Sequence, residues 1–167
     1  MSGSILIRPI CKKDNSAIAQ IIREVFDEYH LPKTGTVYND PATDHLFELF
    51  QHPKAACFVA EYDNKLVGSA GIYPTKGLPN GYCEFSKFYI SKNGRGRGIG
   101  KLLINTCINS AIKFGYKKLY IESFDNLDIA LNMYKKMGFK NLSKPLGLSG
   151  HTACTVWQEY SLDSEKL

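Results

Sequence analysis

The sequence predicts a mixed α/β fold, and three observations carry that prediction. Three strand-like runs follow one another with short connections between residues 55 and 90, which argues for an antiparallel meander. Apolar residues then recur at helical spacing on both sides of a further strand-like run, giving a β–α–β–α order. Gly115 and Gly138 stand where these two helical stretches should stop, the position at which a left-handed residue closes a last turn.

SILIRPI (4–10) reads as a first strand. Asp14 or Asn15 is placed to cap a helix on which Ile18, Ile21, Ile22, Val25 and Phe26 share a face. Pro32 to Pro41 has the composition of a loop, and residues 43–51 form a short helix with Leu46, Phe47 and Phe50 on one side. AACFVAEY (55–62) and KLVGSAGIY (65–73) flank Asp63-Asn64, a hairpin signal. GYCEFSKFYI (81–90) completes the meander. Its apolar positions change parity between Phe85 and Phe88, the pattern of a bulge, although burial on both faces also breaks alternation. From Ile99 to Phe114 the apolar surface is so wide that the helix is expected to pack on more than one side. KKLYIES (117–123) is a strand, and Asn126 to Met137 a helix with Leu127, Ala130, Leu131 and Tyr134 on one face. HTACTVWQEYSL (151–162) closes the order as a strand.

A chain of 167 residues suits one domain, residues 1–167, with a core large enough to be stable alone. No apolar run approaches the roughly 20 residues that span a bilayer, so no membrane association is expected. The opening MSGSILIRPICKKD has a short apolar run broken by Arg8, unlike a secretory signal, so a cytoplasmic location is expected. The cysteines (Cys11, Cys57, Cys83, Cys107, Cys154) are odd in number and form no CxxC pair. His151 and Cys154 make an isolated HxxC, so reduced thiols and no metal are expected. The net charge of +5 is spread along the chain, too thinly for nucleic-acid binding. Lys92, Arg95, Arg97 and Lys101 concentrate enough of it for a small polyanion.

That concentration lies in NGRGRGIGK (93–101), where four glycines alternate with larger residues just before a helix. A backbone that packs against phosphates excludes bulky side chains, and its turns need positive φ. The first amides of the following helix are unpaired, with the positive end of the helix dipole behind them. A strand, a glycine-rich loop and a helix start therefore form a pyrophosphate seat. A glycine-rich turn without a ligand would also explain some of these residues. A Walker A loop is excluded, because Leu102 follows Gly100-Lys101 and Arg95 stands at the first glycine position. The dinucleotide pattern GxGxxG fails at Ile99 and Lys101.

The pattern that fits is R-x-x-G-x-G, read as Arg95, Gly98 and Gly100. Here the sequence resembles the GNAT superfamily of acetyl-CoA-dependent N-acetyltransferases. FYISKNGRGRGIGKLL is similar to the segment in which the family's strand runs into its CoA loop, and ALNMYKKMGF (130–139) to its A-x-x-x-Y…G-F helix. The resemblance covers 83–139 closely and the remainder by order of elements. It implies a mostly antiparallel mixed sheet of about six to seven strands with about four helices, splayed at the cofactor slot.

By resemblance, the amides from Arg95 through Gly96, Arg97, Gly98, Ile99 and Gly100 to Lys101 hold the CoA pyrophosphate. Backbone groups of Phe88, Tyr89 and Ile90 serve acetyl and pantetheine. Tyr134 matches the tyrosine that protonates the CoA sulfur; periodicity alone reads it as a core tyrosine. Glu84, eleven positions before Arg95, matches a general-base glutamate; the alternative is a solvated strand residue. Asn126 stands one position before the family's usual CoA-bonding site and is either a cofactor contact or an N-cap. Tyr38, His45 and His151 are candidates for the acceptor side. The implied reaction moves acetyl from acetyl-CoA to the primary amine of a small molecule or peptide in a ternary complex. A monomer or homodimer is expected. The alternative is a non-catalytic acyl-CoA-binding module on the same fold.

Overall fold

The computed structural model describes residues 3–162. Strand β1 (Ile5–Pro9) leads through a 3-10 turn (Lys12–Asp14) into α1 (Asn15–Glu28). A second 3-10 turn (Pro41–His45) runs into the one-turn helix α2 (Leu46–Leu49). The meander follows as β2 (Ala56–Tyr62), β3 (Lys65–Tyr73) and β4 (Tyr82–Ile90). Then come α3 (Ile99–Lys113), β5 (Lys118–Ser123), α4 (Asp128–Met137), β6 (Lys140–Asn141) and β7 (Val156–Ser161). One seven-stranded sheet has the order β1-β2-β3-β4-β5-β7-β6. Every neighbouring pair is antiparallel except β4 and β5, which α3 connects in parallel. This is the predicted mixed sheet.

The local chemistry explains most boundaries. Asp63 and Asn64 take φ of 49° and 61°, the paired left-handed conformation that turns a two-residue hairpin with the twist of its strands. Gly115 and Gly138 end α3 and α4 at positive φ. The predicted face of α1 is buried: Ile18, Ile21, Ile22, Val25 and Phe26 pack with Leu46 and Val59 on one side of the sheet. Leu103, Ile104 and Cys107 of α3 pack on the other side with Ala70, Ile72 and Leu119. Burying one such Leu or Ile contributes about 1.5–3 kcal/mol. No helix among the described residues is long and apolar enough to cross a membrane.

Four expectations need correction. The short helix over 43–51 divides into the 3-10 turn and the single turn of α2. Helix α3 buries one face and leaves Leu102 44% exposed, so its apolar breadth overstated its packing. The closing strand starts at Val156, because residues 151–155 cross the cleft described below instead of pairing. The capping residues act elsewhere. Asn15 Oδ1 accepts from the Phe47 amide at 2.8 Å, tying α2 to α1. Asp14 accepts from Arg8 at 2.8 and 3.0 Å and from the Cys11 amide at 2.8 Å, and makes no side-chain cap on α1.

The Asp14 carboxylate has a measurable consequence. Burial would raise its pKa, but the Arg8 and Cys11 hydrogen bonds outweigh burial and bring it to about 2. A depressed carboxylate stabilises the fold above its unfolded pKa and loses that contribution as pH falls through the folded value. Asp14→Asn should therefore lose up to about 2 kcal/mol at pH 7, less what solvent screening removes at the open side of Arg8. The gap from the parent should shrink between about pH 4 and pH 2, measured by denaturant unfolding.

Two features of β4 shape the cleft. Gly71 pairs with Ser86 and Ser69 with Tyr89, so Lys87 and Phe88 together face Ala70 alone. This is the bulge signalled by the parity change, and Lys87 sits in it at φ 56°. A left-handed side-chain-bearing residue costs about 1–2 kcal/mol, and the Ser69 hydroxyl donating to the Lys87 carbonyl helps hold it. In addition, β4 and β5 pair only at Tyr82–Lys118, Cys83–Leu119 and Glu84–Tyr120. Beyond these positions β4 stays with β3 as far as Ile90, and β5 stays with β7 as far as Ser123. The sheet is split between them.

Candidate active site

The split opens into two adjoining spaces that share Phe88, Tyr89, Leu127 and Ala130 in their walls. The wider, about 290 Å³, lies over the start of α3. Gly96 and Gly98 hold φ of 72° and 78°, a backbone that most side chains resist. A Cβ built on either would meet nothing within 4 Å, so these glycines border open space. The first bond into α3 runs from the Leu102 amide to the Gly98 carbonyl at 3.2 Å. Among the described residues, the amides from Gly96 to Lys101 have no backbone acceptor, and no side chain caps α3. Unpartnered donors at a helix start, open space and the nearby Lys101 fit a diphosphate-bearing cofactor such as CoA.

The two arginines of the loop behave differently. Arg95 lines this space, donates from Nε to the Ile90 carbonyl at 3.0 Å and forks onto Glu28 at 2.7 and 2.9 Å. It also lies over the Tyr29 ring at 5.2 Å, so it fastens the end of α1 to the loop. Arg97 turns onto the Tyr62 ring, 4.1 Å from its centroid, and donates to its hydroxyl at 3.0 Å. Arg97 is not part of the cleft wall.

The narrower space, about 80 Å³, collects the ionisable groups. Glu84 is 7% exposed and accepts a hydrogen bond from the Thr75 hydroxyl. Glu122, on β5, accepts from Ser149 Oγ at 2.9 and 3.0 Å and from the Tyr120 hydroxyl at 3.0 Å. Burial, followed by the negative charge of Glu84, raises the Glu122 pKa. Tyr134 is 3% exposed and packed against Phe85, Phe88 and Phe139, and burial raises the pKa of its phenol. That keeps it protonated. His151 pairs through Nε2 with Asp40 at 3.0 Å. Burial alone would raise the Asp40 pKa, but His151, the Ala42 amide and nearby Lys87 bring it below the usual range.

Most of the sequence-selected residues converge here. Glu84, Phe88, Tyr89, Tyr134 and His151 line the narrow space, and Phe88, Tyr89, Ile90, Arg95, Gly96, Gly98, Ile99, Gly100 and Lys101 the wide one. Four do not join them: the Arg97 side chain, turned onto Tyr62, and three others. Asn126 is neither an N-cap nor in the wall: Leu127 precedes α4, and the Asn126 amide group donates to the Tyr29 carbonyl at 3.2 Å. Tyr38 packs on Phe26 and meets Lys33, while its neighbours Thr36 and Val37 line the cleft. His45 is exposed at the end of the 3-10 turn, outside the cleft. Conversely, Lys87, Glu122 and the Asp40 partner of His151 escaped the sequence reading. Alternation along KKLYIES sets Glu122 on the face of Tyr120, a usable signal once the β4–β5 register is known. Nothing comparable marks Lys87.

Comparison with known proteins bears on the family and the fold. Residues 19–139 match the model of the acetyltransferase (GNAT) family. The chain is 35% identical over 154 residues to the uncharacterized N-acetyltransferase YjgM of Escherichia coli, covering 92% of each. A GNAT-family acetyltransferase from Staphylococcus aureus superposes with a TM-score of 0.82 at 16% identity, over 96% of this chain and 100% of the other. YncA, a putative acetyltransferase from Salmonella typhimurium solved with acetyl-CoA, superposes at 0.76 and 18% identity, over 98% and 96%. With both the family model and a relative of near-equal length matching it, the chain belongs to the GNAT family of acetyltransferases.

Proposed function

We propose that the protein transfers an acetyl group from acetyl-CoA to a primary amine by direct attack in a ternary complex. The observation that carries this reading is a junction. A row of unpartnered amides at the start of α3 adjoins a slot between splayed strands, where Tyr134 and Glu84 stand together. The cosubstrate supplies an activated acyl group, whose bond to sulfur breaks as its bond to nitrogen forms. The amides of 96–101 hold its diphosphate, and the edge of β4 beyond Glu84, released from β5, offers backbone groups to its arm.

Glu84 takes the proton that the amine must lose to become nucleophilic, and Thr75 fixes the carboxylate for that task. Tyr134 gives its phenolic proton to the departing sulfur, so the charge left by one transfer is balanced by the other. The apolar wall of Phe85, Phe88 and Phe139 keeps water from the phenol. Holding both reactants side by side supplies much of the remaining acceleration. The thiols of Cys57, Cys83 and Cys154 play no part: burial pushes each up to about 12.

Loss of acetyl-CoA across a panel of amines, followed by release of free thiol, tests the reading. Tight CoA binding with no acetylated product from any amine would instead mark a binding module. Tyr134→Phe should lower kcat by roughly 10²-fold while sparing CoA affinity. Unchanged kcat would remove Tyr134 from the acid role.

A further inference from the structure

We infer that the acceptor is an amine carrying a carboxylate beside it, an α-amino acid or a close analogue, and that Lys87 binds that carboxylate. The inference rests on the acetyl-transfer reading for the position of the amine, and it starts from a buried cation that no carboxylate contacts. Lys87 is 7% exposed and lines the narrow space. Among the described residues it enters no ion pair within 4.0 Å, and its nitrogen is not one of the fully enclosed polar atoms left without a hydrogen bond, so it keeps contact with the open space it lines. Burial depresses its pKa, and the charges of Asp40 and Glu84, neither in ion-pair contact with it, oppose that.

A largely buried ammonium without an ion pair is costly, and an anion entering the space beside it relieves that cost. The neighbouring carboxylates each have a hydrogen-bond partner of their own, none of them Lys87. Asp40 holds His151 at 3.0 Å and the Ala42 amide at 2.9 Å, Glu84 holds Thr75, and Glu122 holds Ser149 and Tyr120. The bulge shows that the lysine's place is built: a left-handed residue in the middle of a strand, braced by Ser69, departs from the strand's own preference.

The pocket thus offers both signs to one small molecule. Glu84 and Glu122 suit the ammonium of an arriving amine, and Lys87, three residues along β4 from Glu84, awaits an anion. A simple amine or polyamine would add a second cation beside an unpaired one and leave the lysine unsatisfied. A small zwitterion answers both demands, and about 80 Å³ favours a compact one.

The test uses L-amino acids, each matched with its amide and with the amine lacking the carboxyl group. Calorimetry on CoA-saturated protein reads acceptor binding without turnover. The amino acid is expected to bind at least about 10-fold more tightly than its amide. Lys87→Met should weaken the amino acid roughly 100-fold, leaving the amide and CoA unchanged, and Lys87→Arg should keep the preference. Unaltered CoA affinity certifies that the variants fold. Equal binding of acid and amide overturns the inference, as does a Lys87→Met variant that lowers kcat alike for every acceptor. Carboxylate-dependent binding without acetyl transfer would sink the proposed activity and leave this site standing; equal acetylation of acids and amides would do the reverse.

Discussion

Gly98→Asp is expected to weaken CoA binding at least about 100-fold while the protein stays folded. The glycine has φ 78°, and a Cβ there meets nothing within 4 Å, so the free protein accommodates the side chain without a clash. Asp is among the few residues that visit this backbone conformation, at about 1 kcal/mol. It would stand at the N-cap of α3, where its carboxylate can accept from the open amides and recover part of that strain. The substitution therefore fills the seat with a charge of the same sign as a diphosphate. Calorimetry with CoA reads the loss, and a melting temperature within a few degrees of the parent excludes unfolding. Parental affinity would show that these amides are not the seat. Gly100→Val is a poorer probe: its Cβ would lie 3.2 Å from the Phe88 ring, mixing local repacking with lost binding.

Glu84→Gln should reduce kcat/KM by roughly 10²–10⁴-fold with CoA affinity intact. The amide keeps the shape of the side chain and can still accept from Thr75, but it cannot take a proton from the amine. Its effect on pH dependence separates a base from a strut. The pH dependence of kcat/KM should change, because the proton acceptor at that position is gone. Glu122, relieved of a negative neighbour, should shift to lower pKa, so any residual rise should move toward acid. A parental profile with a small loss of rate would leave Glu84 a purely supporting place.

What could be read in the chain, and what could not, divides along physical lines. Periodicity and turn chemistry are local, and the local elements came through: the Asp63-Asn64 hairpin, the buried face of α1 and the glycine stops of α3 and α4. Even the bulge in β4 left a trace, since one extra residue inverts the parity of everything beyond it. The edge strand β6 left none, because two residues carry no period. Asp14 and Asn15 were legible as capping types, yet their partners lie in β1 and α2, out of reach of a local pattern. The site shows the same division. The phosphate seat is a contiguous segment and could be found as one. The acceptor side is assembled from β4, β5 and the loops holding Asp40, Thr75, Ser149 and His151. Its membership follows from register and loop path, so local pattern points to Tyr38 and His45 and carries no mark of Lys87 or Glu122.

The parting of β4 from β5 has a consequence beyond catalysis. Open sheets have two rims; this one has a third, internal margin whose ladder stops after three rungs. Exposed rims invite pairing with foreign chains, but a margin shut between α1 and α4 admits only something slender enough to slide in lengthwise. The protein thus turns a defect in its own weave into a slot.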